Sequence, residues 1–190
     1  MDEHDGGWLT GRLLLASPSL EEPTFRRAVI LLLDHDEGGA LGVILNRPTD
    51  ADLEAVLPGW SAVAAGPVTV FEGGPVGAEA ALAVGVLEEG VEDEPLGWRP
   101  MYGRVGLVDL DAPVAAVEDA LAGVRVFAGY AGWSPGQLEE ELASGSWLVA
   151  RSDDHDVLSP HPDDLWRGVL RRQDGELRLL ASYPDDPSMN

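Results

Sequence analysis

Neither cysteine nor lysine occurs anywhere in the 190 residues. The first absence removes disulfides, thiolate nucleophiles, iron–sulfur ligation and cysteine-based zinc sites together. The second removes the lysine of a P-loop, and no G-x-G-x-x-G stands in for it, so no nucleotide cofactor is expected. Positive charge is carried by arginine alone, 12 residues against 34 acidic ones, for a net charge of −22. Nucleic acid and anionic lipid are approached through positive patches, so a field this negative argues against direct contact with either. Long apolar runs are missing as well. The chain opens M-D-E-H-D-G-G, acidic where a secretory signal needs a positive start, and no stretch of signal or membrane-span length follows. The expectation is a cytoplasmic protein with no membrane partner.

What is present is a globular balance, 45% hydrophobic and 24% charged, in a length that suits one domain. Residues 12–16 (R-L-L-L-A) and 27–33 (R-A-V-I-L-L-L) read as buried strands, and A-L-G-V-I-L-N at 40–46 returns after the turn D-H-D-E-G-G, so 27–46 is expected to be a hairpin. Pro48 ends it. Thr49 or Asp50 then caps a short helix bearing Leu53, Val56 and Leu57, stopped by Pro58-Gly59. Strands follow at 68–71 and 80–87. Residues 88–97 form an acidic loop before a strand at 104–110. Helical spacing of Val114, Val117 and Leu121 after Pro113 predicts a helix closed by Gly123, then a strand at 125–131. Ser134, Pro135 and Gln137 make a helix start, and Gly145 ends that helix. A strand at 146–150, an acidic loop, a helix over 162–172 and a strand at 176–181 complete the chain, with tails at 1–7 and 184–190. The fold class expected is α+β: one domain of mixed sheet with helices.

Several constellations bear on chemistry. G-W-S-P-G at 132–136 satisfies G-x-S-x-G at a strand-to-helix turn, which would make Ser134 an esterase nucleophile. Pro135 opposes this, because the oxyanion hole of that fold uses the N–H of the residue after the serine, and proline has none. D-D-H-D at 153–156 with His161, Asp163 and Asp164 is the one place where metal ligands crowd, without a calcium-loop spacing, so no metal is assigned. Arg26, Arg27, Asn46 and Arg47 flank the entrance and exit of the hairpin. Paired in register, these ends come together and either form internal salt bridges with some of the 34 acids, the expectation that composition favours, or hold a carboxylate or phosphate through bidentate contacts. The glycine-rich turns Gly73, Gly74, Pro75 and 129–133, with Tyr130 and Trp133, are the candidate floor of the same pocket.

The segments L-L-L-A-S-P-S-L at 13–20, P-T-F-R-R-A-V-I at 23–30, D-H-D-E-G-G-A-L-G-V-I-L-N-R-P at 34–48, E-G-G-P-V at 72–76, F-A-G-Y-A-G-W-S-P-G-Q-L-E-E-E-L at 127–142 and S-W-L-V at 146–149 resemble the AlgH/YqgE family of bacterial proteins. The resemblance implies a mixed, partly barrel-like sheet surrounded by helices, and no catalytic residue to carry over. It also brings a transcriptional-regulator label, which the charge and the lack of a helix-turn-helix pattern oppose as direct DNA binding. The reading is a non-catalytic or unassigned cytoplasmic module of regulatory character, for a small anion or an unknown protein partner. A hydrolase built on the same turns is the alternative, and a DNA-binding regulator the third.

Overall fold

The computed structural model describes residues 8–184; the two expected tails lie outside this range except for Pro184. The strands are β1 (Leu13–Ala16), β2 (Val29–Asp36), β3 (Gly39–Ile44), β4 (Pro48–Asp52), β5 (Thr69–Glu72), β6 (Val76–Leu87), β7 (Trp98–Tyr102), β8 (Val105–Val108), β9 (Leu121–Trp133) and β10 (Trp147–Ala150). The helices are α1 (Leu53–Val56), α2 (Gln137–Ala143), α3 (Asp154–Val157), α4 (Leu165–Arg172) and α5 (Glu176–Leu180). The main sheet runs β10-β1-β2-β3-β9-β6-β8-β7 and curls into an antiparallel half-barrel, a single α+β domain. No described helix is long and apolar enough to cross a membrane.

β9 organises this sheet. One of its edges pairs with β6 along most of its length, from Leu121 opposite Leu87 to Tyr130 opposite Val76. The other edge is shared: Val124 bridges Ala64, Phe127 and Ala128 take β5 in parallel, and Ala131 to Trp133 take β3. This sharing requires close backbone approach where β5 leaves β9. A Cβ on Gly73 would stand 2.2 Å from the Gly129 carbonyl oxygen, and one on Gly74 2.1 Å from the Tyr130 carbonyl carbon. Only glycine fits that crossing.

The expected strands at the start of the chain are all present, and their continuous apolar runs have a physical reason. Leu13, Leu15, Leu31 and Leu33 face an inner core with Phe71, Phe127 and α4, while Leu14, Ala16, Ile30 and Leu32 face a second core with Trp133, Leu138 and Trp147. A strand buried on both faces has no polar position to alternate with. A third core gathers Trp60, Trp98, Val108 and Val126. α4 seats Leu165, Trp166, Val169 and Leu170 on the inner core, and the Trp166 indole N–H donates to the Ala16 carbonyl over 2.9 Å.

Several expectations change. The segment 176–181 is α5 and not a strand: Leu177 and Leu180, three apart, pack on the inner core, whereas Leu179 between them is exposed, a helical spacing. The helix expected from Pro113 to Gly123 is two single 3-10 turns, Val114–Ala116 and Glu118–Ala120, because pairing with β6 draws Leu121 into β9. The acidic stretch after β10 is also not all loop, since α3 forms there behind a capping box of Asp153 and Asp156. Thr49 and Asp50, expected to cap α1, lie inside β4 instead, and Asp52 is the cap, its side chain accepting the Glu54 N–H at 3.3 Å; β4 and β7 have no counterpart among the expected strands.

Candidate functional site

The hairpin brings its two ends together as the register requires. Asn46, just past β3, is buried, and its side chain bridges the strands: Oδ1 accepts the Val29 N–H at 2.9 Å, and Nδ2 donates to the Arg27 carbonyl at 2.8 Å. Arg27 presents that carbonyl from a left-handed conformation, φ 57, uncommon for a residue with a side chain. Its guanidinium lies 4.1 Å from the centre of the Trp166 ring and donates to the Pro184 carbonyl at 2.6 Å. Cation–π stacking and a carbonyl acceptor thus hold it against α4 and the chain's last described residues.

Arg47 follows Asn46 and folds back over the mouth. It donates to the Asn46 carbonyl at 3.2 Å and, over a shorter contact, to the Arg26 carbonyl. Among the described residues no carboxylate stands within ion-pair distance of it; Glu72 and Asp163 act only through their longer-range field. Partial burial pulls the guanidinium below the usual arginine range, and those two acids oppose the shift. Arg26 is exposed at the rim.

The turn 73–75 reaches this mouth through the backbone: the Gly73 carbonyl accepts the Ile44 N–H at 2.9 Å, and the Glu72 N–H donates to the Arg47 carbonyl at 2.8 Å. Gly73's own N–H is taken by Ala128. Gly74 runs against Tyr130, and Pro75 is exposed. Tyr130 is half-buried beside Gly77, while Trp133 is turned into the second core. There the Trp133 and Trp147 indoles both donate to one oxygen of Glu141 at 2.8 Å, and Gln137 donates to the other at 3.0 Å. Arg26, Arg27, Asn46, Arg47 and Gly73 therefore form one neighbourhood, and Trp133 faces a different one.

Ser134 is exposed, and its N–H donates to Gln137 Oε1 at 3.0 Å as expected, but α2 begins only at Gln137, with Gly136 and not Ser134 as its N-cap. Among the described residues no histidine bonds its hydroxyl; the nearest in the topology, His35, is committed elsewhere. The Leu9 N–H donates to His35 Nδ1 at 3.0 Å, which leaves the ring proton on Nε2, 2.9 Å from Glu139. In the acidic stretch, Asp153 accepts from the His155 backbone and ring, and Asp156 binds Arg172. Among the described residues no group of three or more acids or histidines is arranged to hold a metal ion.

Sequence reasoning missed one polar group of weight. Arg125, inside the strand V-R-V-F, is 2% exposed, with its guanidinium 4.3 Å from the centre of the Phe71 ring. It donates to the carbonyls of Gly66 at 2.7 Å and Ser159 at 3.0 Å, and among the described residues its buried Nε meets no acceptor. Burial with no opposing acid draws it down to about 10. A lone charge within an apolar run was the available signal.

The sequence profile of the AlgH-like family matches residues 13–178. The chain belongs to the AlgH-like family. A UPF0301 protein from Streptomyces avermitilis is 57% identical over 184 residues, covering 96% of this chain and 95% of that one, and one from Mycobacterium avium is 49% identical over 181 residues, covering 95% and 90%. Among solved structures, a crystal structure of a protein from Corynebacterium diphtheriae superposes with a TM-score of 0.87 at 34% identity, covering 92% of each chain. The solution structure of AlgH from Pseudomonas aeruginosa gives a TM-score of 0.70 at 24% identity, covering 98% of this chain and 100% of that one, and shares the fold. AlgH-like membership and the half-barrel thus agree with the resemblance read from the motifs.

Proposed function

We propose that this AlgH-like chain is a non-catalytic, cytoplasmic binding module of regulatory character, and that the mouth of the β2–β3 hairpin takes a small anion, a phosphate or a carboxylate. One observation carries the reading: Arg47 is a half-buried cation whose bonds go to backbone carbonyls and not to a carboxylate. A desolvated charge of this kind gains from an anion that brings both counter-charge and acceptors, and a guanidinium offers five N–H donors in a planar fork. Arg26 is exposed at the rim, while the Arg27 guanidinium is engaged by the Trp166 ring and the Pro184 carbonyl.

The test is thermal unfolding of the whole chain with added inorganic phosphate or acetate at constant ionic strength. Phosphate is expected to raise the melting temperature in a saturable way, by linkage to the folded state. Arg47→Gln is expected to abolish that rise and Arg26→Ala to weaken it. A melting temperature indifferent to phosphate, or a rise that survives both substitutions, would leave the arginines with a structural role only.

A further inference from the structure

The tip of the β2–β3 hairpin, at the end opposite the mouth, holds a buried titratable group. His35 is 5% exposed and is met from several elements. From the amino-terminal segment, the Leu9 N–H donates to its Nδ1 at 3.0 Å, and the Trp8 indole makes a T-shaped contact with the ring, centroids 5.1 Å apart. From α2, Glu139 accepts the Nε2 proton at 2.9 Å. Ala40 of β3 lies across the ladder. Among the described residues, Glu139 is therefore the charged group that bonds the ring: Trp8, Leu9 and Thr10 bring no charge, and Asp34 and Asp36 flank it on β2 with exposed side chains. From Thr10 onward the segment no longer depends on the imidazole. The Thr10 hydroxyl accepts the His35 backbone N–H at 3.0 Å, and the Gly11 N–H donates to the Leu32 carbonyl at 2.8 Å. Trp8 and Leu9 are the part that the ring holds, with Leu9 lodged against the second core.

We infer that His35 is a proton-operated latch: the neutral ring holds residues 8 and 9 against the hairpin tip, and protonation releases them. An imidazole nitrogen accepts a hydrogen bond through its lone pair, and the second proton of the imidazolium takes that lone pair. Nδ1–H would then point at the Leu9 N–H, donor against donor. Turning the ring over does not help, because both nitrogens of the cation donate. The bond to Glu139 has the opposite sense. It survives protonation and gains charge on both sides, since the Glu139 carboxyl, held below its usual range by its own backbone N–H and then by His35, stays ionised. One side of the ring favours the proton and the other forbids it, so proton uptake and retention of the strap exclude one another. Strap docking is thus fully present above the titration of His35 and is lost as pH falls through it. Release uncovers an indole, a leucine side chain and the edge of the second core that Leu9 covers. The latch is separate from the anion mouth and does not depend on that reading.

Nitrogen-15 resonances of the full chain, followed from about pH 8 to about pH 5 where imidazoles ordinarily change charge, test the latch. The Leu9 amide and the Trp8 indole should move together along a one-proton curve, in step with protonation of His35 Nδ1, while the Gly11 amide stays in place. His35→Asn sets an amide oxygen where Nδ1 stands, so it accepts the Leu9 N–H and cannot titrate; residues 8 and 9 should then stay docked to the acid end. The same control removes any contribution of His4, His155 and His161. Glu139→Gln should move release to lower pH by about half a unit, the worth of a half-exposed pair. The latch is overturned if the Leu9 amide does not move, if it moves equally in His35→Asn, or if the neutral ring carries its proton on Nδ1. Where His35→Asn does not fold, the unaltered chain decides: Leu9 moving at the pH of Nδ1 protonation supports the latch, and Leu9 moving at another pH sinks it.

Discussion

Arg125 in the middle of β9 and Arg172 at the end of α4 both carry a cation inward, and the protein neutralises them by different means. Arg172 meets the buried carboxylate of Asp156 with both terminal nitrogens, one contact at 2.6 Å, while its own side chain stays 36% exposed. Asp156 also accepts the Asp153 N–H at 2.7 Å, so both of its oxygens are hydrogen-bonded. Burial pushes the Asp156 carboxyl up and Arg172 pulls it back, and burial is the larger effect. Arg125 has two carbonyl dipoles and an aromatic face, with no carboxylate at ion-pair distance among the described residues. The contrast is between a charge balanced at the boundary with water and a charge used as a tie. Gly66 and Ser159 sit on separate segments, and the Arg125 fork spans both.

Substitutions can break this contrast. The largest effect is expected from Arg125→Ala, which opens a cavity beside Phe71 and strands two buried carbonyls, at about 3–4 kcal/mol in urea unfolding. Arg125→Met keeps the volume and removes a desolvated charge, so its cost should fall to about 1–2 kcal/mol. If the two are equal, the charge and its bonds matter and the packing does not. Asp156→Asn comes next, at about 2 kcal/mol, because one acceptor becomes an amide N–H2 that faces a donor, either Arg172 or the Asp153 N–H. Adding Arg172→Met to it should recover part of that loss, which a double-mutant cycle would read as coupling.

The smallest effects are in the pH dependence of the same region. Burial pushes the Tyr102 hydroxyl up to about 12, with Asp156, Asp154 and Asp153 adding to it. The folded state therefore holds that proton longer than the unfolded chain, whose tyrosine titrates near about 10. Stability should fall as pH rises from about 10 to about 12, and Tyr102→Phe should remove this slope while changing little at neutral pH. Asp153 has the opposite sense: the backbone and ring N–H of His155 hold its carboxyl below the usual range. Its contribution is present above the ordinary aspartate value and is lost as acid protonates it, so Asp153→Asn should flatten the acid limb of an unfolding titration.

Much of the first half was legible because its signals are local. L-L-L-A, A-V-I-L-L-L and G-V-I-L-N are apolar enough to be strands in almost any context, and D-H-D-E-G-G has the chemistry of a turn. The hairpin mouth followed from that register, so Arg26, Arg27, Asn46 and Arg47 could be placed together before their contacts were seen. Where reading failed, the local signal was divided. E-L-R-L-L-A fits a strand by alternation and a helix by the spacing of Leu177 and Leu180, and the inner core chose the helix. V-A-A-V-E-D-A-L has helical spacing, yet β6 claimed Leu121 for its ladder. Trp133 does not join Tyr130 at a pocket floor, because residues three apart on a strand point to opposite faces, and the indole goes to Glu141.

Composition alone determined that neither thiol nor lysine chemistry is open to this protein, and that partners must tolerate a strongly negative field. Pattern determined the hairpin, its two buried faces and the family's motifs. The tertiary structure decided which polar groups do what: that Asn46 clasps two strands, that Arg47 is left with carbonyls among the described residues, and that Arg125 ties distant segments. Those outcomes depend on which segments meet across the half-barrel, and separation in sequence carries no record of that meeting.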